Sequence, residues 1–182
     1  MANALDKAGA KWEFTTEARK ISSCDKLIIP GVGNAKTCMR KLTSLGLDQT
    51  IRSLQQPVLG ICIGMQILFD SSEEFPEGPC LGIIPGKVEK MLPESGFPVP
   101  HMGWNQLKIE KDSLLLRQSD SGQWVYFVHS FAGERGPWTT AGCTYNGDIP
   151  AAVEFGNFIG LQFHPEKSGC TGINILKRFV EL

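Results

Sequence analysis

The chain has 182 residues, 42% of them hydrophobic and 20% charged, with a formal net charge of −1. That is apolar sequence enough for a sizeable core in one domain spanning residues 1–182. A near-neutral balance gives no electrostatic footing for nucleic acid or a membrane surface, and no apolar stretch approaches membrane-spanning length.

Residues 2–8 read as the end of a helix closed by Gly9, and Lys11–Phe14 as a short strand. Thr16–Ile21 is a helical turn, and Asp25–Ile29 is a buried strand running into the loop Pro30-Gly31-Val32-Gly33. Ala35–Leu42 and Leu47–Leu54 are helical with one apolar face. Val58–Ile61 is a short buried strand and Gly64–Phe69 the opening of a helix, followed by a solvated acidic loop at 70–74. From Gly82 the pattern changes to short strands between Gly and Pro turns: 87–91, 106–109, 124–130, 139–145, 151–155 and 158–163. Thr171–Leu182 is a final amphipathic helix. Strand–helix alternation at the front and strands later predict a three-layer α/β fold, its mostly parallel sheet carrying an antiparallel portion.

The six cysteines contain no Cys-x-x-Cys pair, so neither zinc, another metal nor a dithiol motif is suggested. Without a leader pattern at its start, the chain reads as cytoplasmic, its thiols free. One of them stands apart. Cys62 lies between the Val58–Ile61 strand and the following helix, with Gly60 and Gly64 two residues to either side. This is a nucleophile elbow written with sulfur, Gly-x-Cys-x-Gly, whose sharp turn leaves no room for side chains at the glycines. The turn also sets the sulfur at a helix start, where the dipole favours thiolate, and frees the Ile63 N–H to face an oxyanion.

A cysteine in an apolar run is more often a small core residue, so the elbow needs a base elsewhere. Only three histidines are available. His101 has no acid close behind it, and the nearest acid to His129, Glu134, lies beyond a loop. His164 ends an apolar run and is followed by Pro165 and Glu166. In extended chain residues two apart share a side, so Glu166 can orient the His164 ring and stabilise its imidazolium. Cys62, His164 and Glu166 thus supply nucleophile, base and orienter.

Gly60-Ile61-Cys62-Ile63-Gly64-Met65-Gln66 and Gln162-Phe163-His164-Pro165-Glu166 resemble the two signatures of class I (triad) glutamine amidotransferases, which have a flavodoxin-like α/β fold. His101-Met102-Gly103-Trp104-Asn105, Tyr126-Phe127-Val128-His129-Ser130 and Pro30-Gly31-Val32-Gly33 narrow the resemblance to the glutaminase subunits of imidazole glycerol phosphate synthases. That resemblance implies glutamine hydrolysis through a Cys62 thioester, with no cofactor. Gly31, Val32 and Gly33 would join Ile63 around the oxyanion. Gln66, Glu74, His129, Ser130 and Phe131 would line the glutamine site, Glu74 facing the amino group. Trp104 and Asn105 would lie at the contact with a synthase (cyclase) subunit, in a heterodimer that receives the ammonia for histidine biosynthesis. A triad glutaminase serving another synthase, or a catalytically impaired interaction subunit, are the alternatives. Members of the family begin with an apolar strand and a Gly-containing turn, and Ala2–Gly9 matches only the end of the helix that follows them. A chain extended upstream by that strand is therefore expected to be more stable, because Lys11–Phe14 and Lys26–Ile29 would otherwise present unpaired edges.

Overall fold

The computed structural model describes every residue except Val32, so the expected part of Val32 in the glycine loop lies outside the described residues. The helices are α1 (Ala2–Lys7), α2 (Ala18–Ser23), α3 (Ala35–Ser44), α4 (Leu47–Arg52), α5 (Ile63–Gln66) and α6 (Gly169–Glu181). The main sheet has six strands in the order β1 (Leu27–Ile29), β2 (Val58–Ile61), β11 (Phe158–Leu161), β10 (Asp148–Phe155), β9 (Thr139–Thr144) and β6 (Lys108–Ile109). β1, β2 and β11 run parallel, and the remaining pairings are antiparallel. A second sheet joins β3 (Phe69–Ser72), β4 (Ile84–Lys90) and β8 (Phe131–Gly133). A third is the pair β5 (His101–Gln106) and β7 (Trp124–His129).

β2 and β11 are buried at every position, which requires cover on both faces of the sheet. The helices supply it in two packed groups, α2 to α4 and α1 with α6. α3 starts where Asn34 caps it, its side chain accepting from the Thr37 N–H at 2.8 Å. The expected mixture of parallel and antiparallel strands is present, and several element assignments need correction. Lys11–Phe14 forms no strand, and Phe14 is 84% exposed. The helix expected from Gly64 to Phe69 ends at Gln66, because Phe69–Ser72 is drawn into parallel pairing with β4. The acidic stretch is therefore half strand. His101–Gln106 is a strand that the sequence pattern did not suggest.

Candidate active site

The elbow is built by close backbone approach. Cys62 has φ 52° and ψ −108°, a conformation that a residue with a side chain adopts only when its surroundings force it. A Cβ on Gly60 would overlap the Gly64 backbone, and one on Gly64 would overlap the Ile29 carbonyl of β1. Gly31 is packed the same way against Ile61 and Cys62, so it lies directly on the cysteine. The Cys62 N–H donates to the Leu161 carbonyl at 2.7 Å, anchoring the elbow to β11. Ile63 opens α5, and a helix's first amides are left over from its internal ladder.

β11 brings the second half. Beyond its end, the His164 N–H donates to the Tyr126 carbonyl at 2.8 Å, and the Ser168 hydroxyl donates to the His164 carbonyl at 2.6 Å. With the backbone pinned, the His164 ring places Nδ1 2.9 Å from Glu166 Oε1 and leaves Nε2 for the sulfur. Burial of the ring pulls its pKa down. The hydrogen bonds to Cys62 and Glu166 outweigh that and raise it to about 9. Burial likewise pushes the Glu166 carboxyl up, and the His164 partner brings it below its usual range. Burial, the largest cause in each case, raises the buried thiols Cys80 to about 11 and Cys143 to about 12, which keeps them protonated.

A pocket of about 390 Å³ opens over Cys62. Gly31, Gly33, Ile63, Gln66, Glu74, His129, Ser130, Phe131 and His164 line it, each singled out from sequence, together with Pro100 and Val128. Glu74 is held in place by the start of α3, its Oε2 accepting from the Ala35 N–H at 2.6 Å. Gln66 Nε2 donates to the Phe131 carbonyl at 2.8 Å, while Gln66 Oε1 is buried without a partner among the described residues. His129 lines the pocket but holds no spare nitrogen. Its Nδ1 donates to the Phe131 carbonyl at 2.8 Å, and its Nε2 faces His101 Nδ1 at 3.1 Å. Burial lowers both of these rings to about 4, so they stay neutral, unlike His164.

Trp104 and Asn105 lie away from the pocket on β5. Trp104 is 53% exposed beside Tyr126, their ring centroids 6.0 Å apart, and Asn105 Nδ2 donates to the Thr144 carbonyl at 3.0 Å. Among the described residues no group of three His, Cys, Asp or Glu side chains is arranged to hold a metal ion. His101 is the residue the sequence reading passed over. Its signal was the absence of a nearby acid, which is irrelevant to a ring that pairs with another imidazole.

A likeness to known proteins runs over the same residues. The class-I glutamine amidotransferase family matches residues 3–182. A Legionella pneumophila (strain Lens) protein named imidazole glycerol phosphate synthase subunit HisH 2 is 44% identical over 182 residues, covering 100% of this chain and 91% of its own. The Pasteurella multocida (strain Pm70) protein named imidazole glycerol phosphate synthase subunit HisH is 46% identical over 178 residues, covering 98% of this chain and 89% of its own. A crystal structure of a glutamine amidotransferase superposes with a TM-score of 0.74 at 20% identity, over 99% of this chain and 92% of that one, a likeness of fold. From the elbow to the fold, with the family matching all but the first two residues, the chain belongs to the class-I glutamine amidotransferases.

Proposed function

We propose that the chain is the glutaminase subunit of an imidazole glycerol phosphate synthase. In this reading it is a cytoplasmic protein that hydrolyses L-glutamine and passes ammonia to a cyclase subunit in a heterodimer. The cyclase uses that ammonia to form imidazole glycerol phosphate and the carboxamide ribotide in histidine biosynthesis. The observation that carries the reading is that one pocket gathers Cys62, His164 and the two side chains suited to glutamine's polar ends.

Glutamine enters with its ammonium toward Glu74, which is fixed by α3, and a donor toward Gln66 Oε1, which has no partner among the described residues. The Cys62 thiolate attacks the side-chain carbonyl carbon, and the oxyanion meets the Ile63 N–H and the Gly31–Gly33 loop. The His164 imidazolium, oriented by Glu166, gives its proton to the departing nitrogen, and ammonia leaves behind a thioester. The neutral ring then takes a proton from water, which attacks the thioester and releases glutamate. The exposed face of the β5–β7 pair, with Met102 and Trp104 opposite Val128 and Tyr126, is the docking surface for the cyclase.

The test is glutamate release from glutamine, measured with and without the cyclase subunit of such a synthase. The expected result is turnover that rises sharply when the two are mixed and is lost in Cys62→Ala. Turnover that ignores that cyclase, or no glutamate under either condition, rejects the reading.

A further inference from the structure

Gln162 sits at the end of β11, with no exposed surface, beside Cys62. Its Nε2 lies 3.7 Å from Cys62 Sγ, and its Oε1 accepts from Gln66 Nε2 at 3.0 Å. The orientation of this amide follows from the groups around it. Gln66 Nε2 also meets the Phe131 carbonyl at 2.8 Å, and a carbonyl only accepts. The Gln66 atom there must therefore be the nitrogen. The Gln162 atom facing that nitrogen must be an oxygen, and the other end of the Gln162 amide, turned to the sulfur, must be a donor.

Cys62 Sγ also lies 3.8 Å from the Val128 carbonyl, an acceptor for the proton of the neutral thiol. When that proton passes to His164, the sulfur becomes an anion, and a buried donor already points at it. Hydrogen bonds to a charged acceptor are about twice as strong as neutral ones, so the Gln162 N–H holds thiolate better than thiol.

We propose that Gln162 is a further catalytic residue, a preset donor that favours the Cys62 thiolate over the thiol, aimed by the backbone of β8 through Gln66. The inference rests on the triad reading above, and adds a fully buried partner to the sulfur that is not among the pocket's lining residues. It predicts that Gln162 acts on turnover and not on glutamine binding.

Iodoacetamide labelling of the full chain across pH, with the labelled cysteine located by peptide mass spectrometry, tests it. In Gln162→Met the Cys62 labelling rate at neutral pH should fall ~10-fold and its pH midpoint move upward, the loss of one charge-assisted hydrogen bond. With the cyclase subunit present, kcat for glutamine should fall while KM stays within about twofold, the pattern of a group that acts after binding. A folded Gln162→Met chain that labels at Cys62 like the unmodified protein overturns the inference and leaves the triad standing. Failure of Cys62 to label faster than the other cysteines in the unmodified protein overturns both. If Gln162→Met does not fold, nuclear magnetic resonance of the unmodified protein decides. The Gln162 side-chain amide signals should move as Cys62 titrates and stay still in Cys62→Ala; signals that do not move in the unmodified protein overturn the inference.

Discussion

At Cys62 the backbone is held at φ 52° because glycines on three sides let other backbone come close enough to fix it. Gly64→Ala would drive a methyl into the Ile29 carbonyl, and substitutions that overlap packed backbone cost several kcal/mol. We expect Gly64→Ala to lower the urea midpoint by an amount worth about 2–4 kcal/mol, measured by equilibrium unfolding. The His164–Glu166 pair has a pH signature that follows from the sign of each shift. His164 is raised from 6.5 to about 9, so its stabilisation is complete below pH 6.5 and is lost as pH rises through about 9. Glu166 is lowered from 4.5, so its stabilisation is present above pH 4.5 and is lost as pH falls through the folded-state value. The stability difference between the unmodified chain and Glu166→Gln should therefore be widest between pH 4.5 and 6.5, read from urea midpoints across pH. In activity the order is different: Glu166→Gln should lose less than His164→Ala, because an amide still orients the ring while loss of the base removes roughly 100- to 10,000-fold. This pair was legible in the sequence because Pro165 keeps its two members local. Gln162 was not, since its partners Cys62 and Gln66 stand at the two ends of α5, far from it in the chain.

The elements that were read correctly are those whose polarity matches their burial. β2, with its unbroken apolar run, and α6, with its apolar stripe, fall where the pattern put them. β5 was missed because it is inverted: His101 is buried and Met102 and Trp104 are exposed, so a period-two reading finds the wrong face. The inward polar face is satisfied by pairing. His101 stacks between Phe127 and Tyr145, at centroid distances of 4.7 and 3.8 Å, while its Nδ1 serves His129. Burial holds both rings neutral with pKa about 4, below the ordinary 6.5, so the stability this pair gives is present above pH 6.5 and lost as pH falls through about 4. His101→Phe keeps the stacking and leaves His129 Nε2 without its donor. It should cost about 1–3 kcal/mol at pH 7 and flatten the loss of stability in acid, both seen in urea midpoints taken between pH 4 and 7.

Across the whole molecule the same strand pair, β5 with β7, faces two ways. One face closes the pocket through His129, and the other exposes Met102, Trp104 and Trp124, of which Trp104 and Trp124 are each 53% exposed. Trp104→Ala should weaken binding to the cyclase by about 2 kcal/mol or more, roughly 30-fold, with the glutamine pocket intact, as titration calorimetry of the two subunits would show. The α/β class and its mixed sheet were legible because parallel strands and their helices alternate along the first 70 residues. The division into three sheets was not, because β3, β5 and β8 are too short or too inverted to announce themselves. In the proposed function, Cys62 makes ammonia and does nothing else. The most direct measurement is synthesis by the assembled two-subunit enzyme carrying Cys62→Ala, run once with glutamine and once with ammonium salt as nitrogen source. Glutamine-dependent synthesis should vanish while ammonia-dependent synthesis persists. If both fall together in a complex that still assembles, Cys62 is not the ammonia-producing nucleophile.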